Sequence, residues 1–328
     1  MTGYNINSDR GYKQNLVLSD FDYLIEKGLV RVKDYPDQNL CVLKYHNKVF
    51  YKNLWSQGAL LLEARGHVFD TVTGECVSRP FNKVFNYGER NTGLNMLKKD
   101  VVAVKKVNGF LGVFTVHNGQ PLFSTTGTLD SDFAKLFRTI MERDNPDFIQ
   151  SAIKNKMENT TFLFEVCDES DPHIVPEESG LYLIGIRNIK TGEYQNQQHL
   201  SMYNRLFGFK YRDVETIQDT LVNVIKRNAE VEHEGFMIYD KMGKPLLKTK
   251  SPYYLFSKLL ARMNAGKLTD LWETTDLEQL VQERFGEEYQ VVLDKLRHDC
   301  DKEFFVGCDE QTRLDILREL IKECAYGC

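Results

Sequence analysis

Short runs of β-branched and aromatic residues recur between residues 61 and 250 of this chain, separated by turn residues. Such runs predict short strands. Two stretches of the same region, residues 133–143 and 214–228, have helical spacing instead. Residues 1–60 mix short apolar runs with polar residues and predict a strand and a helix packed on this region. The pattern therefore predicts an α+β fold of antiparallel sheets with flanking helices.

The pattern changes after Tyr254. Apolar residues there recur at intervals of three and four, as they do in helices that bury one face, over residues 255–263, 276–299 and 311–324. We therefore predict two domains: a larger one over residues 1–252 and a small, all-α accessory domain over residues 253–328. The accessory domain is expected to help select the substrate.

Composition restricts the class of protein. The chain has 328 residues and a formal net charge of −5, so contact with nucleic acid would depend on a local basic patch. Its seven cysteines are odd in number and show no Cys-x-x-Cys spacing, which favours reduced thiols. No run of about 18 apolar residues is present, and the first 15 residues are polar. We expect a cytoplasmic protein, in the host cytoplasm if the source is viral, without membrane contact.

Lys106 lies in a Lys-Val-Asn-Gly segment between two predicted strands, at residues 101–104 and 110–116. Asn and Gly are typical of a turn at that junction. A lysine side chain acts as a nucleophile only when its pKa is lowered, which nearby positive charge and partial loss of water achieve. Lys106 is therefore a candidate nucleophile.

Lys248 and Lys250 are candidates for that positive charge. Positions two apart in a strand share a face, so both ammonium groups would point into one cleft. Such a pair also suits the charge that builds on a phosphate under attack. The alternative is that both lysines lie on a solvated strand face.

Glu165 and Glu234 are candidate ligands for a metal ion or a ribose. Glu165 lies near the end of an aromatic-rich predicted strand, and Glu234 with Gly235 precedes another. A carboxylate facing a core is costly unless it is paired or bound to metal. Mg²⁺ takes oxygen ligands and bridges carboxylates to phosphates. The alternative for each, taken singly, is an ordinary surface acid.

The ordered set of Lys106, Glu165, Glu234 with Gly235, and Lys248 with Lys250 resembles the covalent nucleotidyltransferases, which comprise RNA ligases, DNA ligases and mRNA capping enzymes. More narrowly, the chain is similar to the RNA ligase 1 family of T-even phages, the tRNA-repair type. The similarity runs from about residue 61 to residue 254 and includes four further segments, at residues 63–69, 78–86, 181–187 and 248–254.

This resemblance implies a nucleotidyltransferase (ATP-grasp-like) domain in which Lys106 is the adenylylated nucleophile. The residues implied for the nucleotide cofactor ATP are Arg65, Lys83, Phe85, Glu165, Lys248 and Lys250. Those implied for the metal, Mg²⁺ or Mn²⁺, are Glu234 and Glu165, with Tyr254 lining the site. Two positions depart from the family pattern: Asn108 stands where an acid is common, and Thr126 stands where we expect a lysine.

The implied activity is ATP-dependent joining of RNA ends that carry a 5′-phosphate and a 3′-hydroxyl, as in repair of nicked tRNA. No stable protein partner is implied. Two alternatives remain open. One is another member of the superfamily, a DNA ligase or a GTP-using capping enzyme, and the other is a non-catalytic RNA-binding module. A strand-rich OB-fold after the last lysine motif would be expected of the first, whereas this chain has helical spacing there.

Overall fold

The computed structural model describes residues 13–171, 173–209, 216–262, 272 and 289–326. The chain divides into two compact units, each assembled from separate stretches of sequence. Unit 1 contains Met1–Val84, Val107–Asp213 and Lys241–Lys244, and unit 2 contains Phe85–Lys106, Val214–Asp240 and Pro245–Cys328. The helices that follow Tyr254 thus share a unit with strands, and the domain boundary at residue 252 stays a prediction.

The strands within the described residues are β1 (Val30–Tyr35), β2 (Leu40–Tyr45), β3 (Arg65–Asp70), β4 (Cys76–Ser78), β5 (Asp100–Lys105), β6 (Phe110–His117), β7 (Gln120–Ser124), β8 (Thr160–Cys167), β9 (Gly180–Asn188), β10 (Ile217–Thr220), β11 (Phe236–Tyr239) and β12 (Pro245–Lys248). The α-helices are α1 (Asp22–Glu26), α2 (Asn47–Tyr51), α3 (Asp132–Asp144), α4 (Pro146–Lys154), α5 (Gln197–Phe207), α6 (Leu221–Asn228), α7 (Pro252–Arg262), α8 (Tyr289–Asp299), α9 (Lys302–Gly307) and α10 (Glu310–Tyr326). No helix among the described residues is long and apolar enough to cross a membrane.

Unit 1 contains two antiparallel sheets, ordered β1-β2-β3-β4 and β7-β6-β8-β9. Alternating apolar residues of the second sheet face a core rich in phenylalanine, against which α3 and α4 pack. Phe114, Phe148 and Phe162 pack edge to face or tilted, with ring centroids 5.0 to 6.1 Å apart. The predicted helix over residues 133–143 is confirmed as α3, whose N-terminus is capped by the Ser131 side chain.

Unit 2 contains one antiparallel sheet, ordered β10-β5-β11-β12, with α6 packed on an apolar face. The prediction of a helix over residues 214–228 is wrong for Ile217–Thr220. Those residues form β10, because they pair with the edge of β5, and the helix begins at Leu221. The predicted helix at 311–324 is confirmed as α10, and the one at 255–263 is confirmed as α7 as far as Arg262, with residue 263 outside the described residues. Of the predicted helix at 276–299, residues 276–288 lie outside the described residues and the remainder contains α8.

Candidate active site

Glu234 is the centre of a charged cluster in unit 2. It is 2% exposed. Lys106 Nζ donates to Glu234 Oε2 at 2.9 Å, and Lys250 Nζ donates to Glu234 Oε1. Burial alone would raise the pKa of Glu234, but the positive charges of Lys106 and Lys250 outweigh it and lower the pKa to about 2. Glu234 is therefore a carboxylate anion in contact with two ammonium groups.

Backbone pairing places Lys106 beside Glu234. Lys105, the last residue of β5, pairs with Phe236 at the start of β11, and the Lys106 N–H donates to the Gly235 carbonyl at 2.8 Å. Gly235 has a φ of +128°, and a Cβ on it would lie 2.3 Å from the Thr249 carbonyl oxygen. Only glycine tolerates both this conformation and this close approach. The glycine of the predicted Glu-Gly motif is thus required by its backbone conformation and by its closeness to Thr249.

The segment that carries Lys250 is held by buried polar side chains. Asn228 Nδ2 donates to the Lys250 carbonyl at 3.0 Å, and Thr249 Oγ1 accepts from the Phe236 N–H, also at 3.0 Å. Asn228 and Thr249 are 2% and 4% exposed. Asn228 is the last residue of α6 and belongs to no motif, so sequence analysis missed it.

Three more predicted site residues belong to unit 2. The Tyr254 ring centroid lies 4.5 Å from Lys250 Nζ, within the range of a cation–π contact. The Lys248 N–H donates to the Phe85 carbonyl at 3.0 Å, so these two residues are adjacent through their backbones. The Phe85 ring is buried and lies 5.7 Å from the Arg90 guanidinium carbon. The structure thus brings Tyr254 to the charged cluster, and the nucleotide contacts of Phe85 and Lys248 stay predictions.

In unit 1, Glu165 is buried near the end of β8, and its Oε1 accepts from the Gly109 N–H at 3.1 Å. A Cβ on Gly109 would lie 2.3 Å from the Val166 carbonyl oxygen, so a larger residue would not fit there. Asn108 Oδ1 accepts from the Val175 N–H at 3.3 Å. Asn108 departs from the family pattern, but its side chain accepts a hydrogen bond that the carboxylate of an acid could also accept.

Lys83 and Arg65 also belong to unit 1. Lys83 is buried, and its Nζ lies 5.1 Å from the Phe50 ring centroid and 5.6 Å from that of Trp55. Aromatic faces attract an ammonium group and position it. Arg65 is the first residue of β3 and is half-buried.

A buried ionic cluster that sequence analysis missed joins the two N-terminal motifs of unit 1. Glu63 Oε1 accepts from Arg79 and from Arg187, each at 2.9 Å, and Glu63 Oε2 lies 2.8 Å from His67 Nε2. The Glu63 pKa is held well below its usual range, mainly by Arg187 and His67 against the effect of burial. Burial, together with the two arginines, lowers the pKa of His67 to about 4 despite Glu63. His67 is therefore neutral at pH 7.

The number of buried carboxylates limits the kind of metal ion that the candidate site residues could hold. Within the part of the chain that the structure describes, no group of three or more histidine, cysteine or acidic side chains could hold a metal ion. Glu234 and Glu165 are single buried carboxylates. Because Mg²⁺ is usually held by one or two carboxylates together with substrate phosphates, this donor chemistry fits a divalent cation that binds with a nucleotide.

Comparison with known proteins agrees with this arrangement. A family model described as RNA ligase matches residues 63–259, more than half of the chain. The chain is 26% identical over 253 residues to a putative bifunctional polynucleotide kinase/RNA ligase of Autographa californica nuclear polyhedrosis virus, and 28% identical over 141 residues to RNA ligase 1 of bacteriophage TS2126. These alignments cover 71% and 40% of this chain but 35% and 36% of the relatives, about a third of the length of each.

Among solved structures, an archaeal ATP-dependent RNA ligase is similar, with a TM-score of 0.56 at 14% identity, over 92% of this chain and 76% of that one. This similarity concerns the fold. It confirms the predicted nucleotidyltransferase architecture of antiparallel sheets, flanking helices and a helical C-terminal region. The match of the family model over more than half of the chain shows that the chain belongs to the RNA ligase 1 family.

Proposed function

We propose that the chain is an ATP-dependent RNA ligase that joins a 5′-phosphate to a 3′-hydroxyl. The observation that carries the proposal is the contact between Lys106 Nζ and the buried Glu234 carboxylate, whose other oxygen contacts Lys250. An amine that attacks a nucleotide must be held in place, and a neighbouring cation must stabilise the charge that builds on the phosphate. The family of the chain supports the same activity.

The proposed reaction has three steps. The ammonium group of Lys106 first gives up one proton to water. The neutral amine then attacks the α-phosphorus of ATP, the bond to the bridging oxygen breaks, pyrophosphate leaves, and the nitrogen releases a second proton to water. A 5′-phosphate oxygen of the RNA then attacks the same phosphorus, and the Lys106 nitrogen leaves and regains a proton. In the last step a 3′-hydroxyl attacks the activated 5′-phosphate, loses its proton and displaces AMP. Covalent catalysis replaces one difficult transfer by easier ones.

The geometry suggests how the residues of the cluster divide the work. With a pKa of about 2, Glu234 is too weak a base to keep the proton of Lys106, so we assign it to positioning the nitrogen. Lys250 would stay charged and contact the phosphates. We propose Glu234 and Glu165, each by itself, as candidate carboxylate ligands of a divalent cation, Mg²⁺ or Mn²⁺, that would neutralise phosphate charge, and Tyr254 lies beside the Glu234 cluster. We propose Arg65, Lys83, Phe85 and Lys248 as further contacts to the nucleotide.

The finer parts of the proposal concern the substrate. A nicked tRNA is the proposed RNA, with the helices after Tyr254 helping to choose it, and the cytoplasm is the proposed location. The support is the resemblance of the motifs to the tRNA-repair type of RNA ligase. Ligation of broken tRNA compared with unstructured RNA ends of the same sequence tests this substrate preference.

Incubation with ATP labelled at the α-phosphate and a divalent metal, followed by denaturing electrophoresis, tests the first step. We expect a labelled protein band that is absent from Lys106→Ala and present in Lys105→Ala. Lys106→Ala should still seal RNA that is already adenylylated, because that step does not use the amine as a nucleophile. A labelled adduct with GTP instead of ATP would indicate a capping enzyme. Wild-type adduct yield in Lys106→Ala would overturn the assignment of the nucleophile.

A further inference from the structure

Three cations form a row across three neighbouring strands of unit 1. Arg31 on β1 lies opposite Lys44 on β2, and Lys44 lies opposite Arg65 at the start of β3. Directly opposite residues of antiparallel strands project from the same face, and neighbouring strands are about 4.8 Å apart. The three charges are therefore side by side. Arg31 and Lys44 precede residues 63–259, which the family model matches.

A β-bulge brings Arg65 into this row. The pairing of β2 with β3 shifts between Leu43, which is opposite His67, and Lys44, which is opposite Arg65, so Gly66 is the extra residue. Gly66 has a φ of +89°, and a Cβ on it would lie 2.8 Å from the Thr126 Cα. Without the bulge, Gly66 would be opposite Lys44 and the Arg65 side chain would leave this face. The backbone thus keeps a conformation available only to glycine at the position that aligns the cations.

Within the described residues, carboxylates do not neutralise the row. Among the residues that the structure describes, no acid forms an ion pair with Arg31, Lys44 or Arg65, and Arg31 Nη2 instead contacts His46 Nε2 at 2.8 Å. Loss of water and then the charges of Arg65 and Arg31 lower the pKa of Lys44. Like charges placed directly opposite each other destabilise a sheet.

The neighbouring Lys33 behaves differently. It lies two residues from Arg31 on β1, and its Nζ contacts Asp130 at 2.5 Å. Its pKa is raised, mainly by the hydrogen bond to Asp130. As far as the structure describes the chain, an acid thus lies beside Lys33 and none lies beside the row. An arrangement of this kind is expected where an external anion binds.

We propose that Arg31 and Lys44 extend Arg65 into a binding row for consecutive phosphate groups. Two guanidinium groups flanking an ammonium group suit several phosphate oxygens at once, since arginine donates in a planar fork and lysine from a point charge. In the proposed function, the ligands that bear such phosphates are ATP and RNA, so the choice between these two ligands rests on that function. The chemistry of the row is the same for either.

The experiment compares Arg31→Ala and Lys44→Ala with Lys33→Ala as the matched control, since Lys33 is a cation of the same sheet that already has an acid. One arm measures adduct formation over a range of ATP concentrations without RNA. The other measures sealing of pre-adenylylated RNA over a range of RNA and salt concentrations. Loss of one charged phosphate contact should raise the half-saturating concentration about tenfold in the arm that uses the row, and Lys44→Arg should restore most of it.

A tenfold change in the ATP arm assigns the row to nucleotide phosphates. A change in the RNA arm, with a salt slope reduced by about one, assigns it to RNA phosphates. If both variants stay within about twofold of Lys33→Ala in both arms, the proposal is wrong. It is also wrong if Lys44→Ala lowers the melting temperature, because removing a repelled charge should leave that temperature unchanged or raise it.

Direct titration separates this proposal from the ligase assignment. The wild type and the variants are titrated with ATP in the absence of metal and with a 5′-phosphorylated RNA oligonucleotide. A wild-type protein that forms no adduct would overturn the proposed ligase activity. The titrations would still test the row. Weaker binding by Arg31→Ala and Lys44→Ala than by Lys33→Ala would support it, and equal binding by all three variants would contradict it.

Discussion

Thr249 and Asn228 form a buried hydrogen-bonded pair, in which Thr249 Oγ1 donates to Asn228 Oδ1 at 2.8 Å. The pair links α6 to the residue between the last two lysines of the motif set. Because the Asn228 amide also donates to the Lys250 carbonyl, α6 acts on the Lys250 backbone without containing any group that reacts.

Asn228→Ala should therefore destabilise the protein and slow adduct formation together. The substitution removes the hydrogen bonds of Asn228 with the Thr249 hydroxyl and with the Lys250 carbonyl, and each lost hydrogen bond costs about 0.5–1.5 kcal/mol. Urea unfolding and the single-turnover rate of adduct formation measure the two effects. Asn223→Ala is the matched control, because Asn223 lies on the exposed face of the same helix and hydrogen-bonds Asp219. Equal effects of the two substitutions would contradict the positioning role of Asn228.

Glu234→Gln should slow adduct formation by a factor of about 10², the usual effect of a reacting group that is no longer held in its attacking position. The change keeps the shape of the side chain but removes the anion that contacts Lys106 and Lys250. We also expect the divalent metal concentration for half-maximal rate to rise. Glu232→Gln, two residues away and exposed, is the control. Normal kinetics in Glu234→Gln would show that its charge is not needed.

Gly235→Ala should reduce adduct formation through the backbone. The φ of +128° is strained for any residue with a Cβ, at about 1–3 kcal/mol, and the added methyl group would meet the Thr249 carbonyl oxygen. The strand end that carries the Lys106 partner would then shift. Gly307→Ala is the comparison, since a Cβ there meets no atom within 4 Å. Thermal unfolding and the adduct assay should both separate the two variants, and a fully active Gly235→Ala protein would refute this account.

His67 should make the stability of the protein depend on pH. Its pKa is lowered to about 4 in the folded protein by burial, against about 6.5 in an unfolded chain, so the unfolded state binds the extra proton. This contribution to stability is fully present above pH 6.5 and is lost as the pH falls through 4. Between pH 7 and pH 5 the loss is about 2 kcal/mol. His233, whose pKa is also lowered to about 4 by burial and Lys105, adds to the same trend.

The free energy of unfolding by urea at both pH values measures this loss. In His67→Gln the pH dependence should be clearly smaller than in the wild type, and His298→Gln, at a side chain that is 88% exposed, is the control for the substitution itself. An unchanged pH dependence in His67→Gln would show that His67 is not the titrating group.

The sequence patterns located the elements that have a strong apolar period. The run before Lys106 is β5, and the spaced apolar residues after Tyr254 form α7 and α10. β10 was missed because its four residues have no buried face of their own and depend on the edge of β5 for pairing. Such a strand is determined by its neighbour and leaves little trace in local sequence.

The candidate site was predictable as a set of residue types but not as contacts. Lys106 and Glu234 are separated by 128 positions, and no periodicity indicates that their side chains meet. The Glu63 cluster and Asn228 were not anticipated for the same reason, since their partners come from distant segments. The row of Arg31, Lys44 and Arg65 requires the strand register and the Gly66 bulge, which only the three-dimensional structure supplies.

The order of chain segments in unit 2 has a consequence for synthesis on the ribosome. Its sheet takes β5 from one stretch of sequence and β11 and β12 from another that begins more than 100 residues later. Long-range pairing of this kind forms late in folding. A nascent chain that already displays Lys106 still lacks Glu234 and Lys250, so it has neither the anion that holds the amine nor the cation beside it. The proposed self-labelling by ATP would thereby be postponed until residue 250 has been added, well after the nucleophile itself has been synthesised.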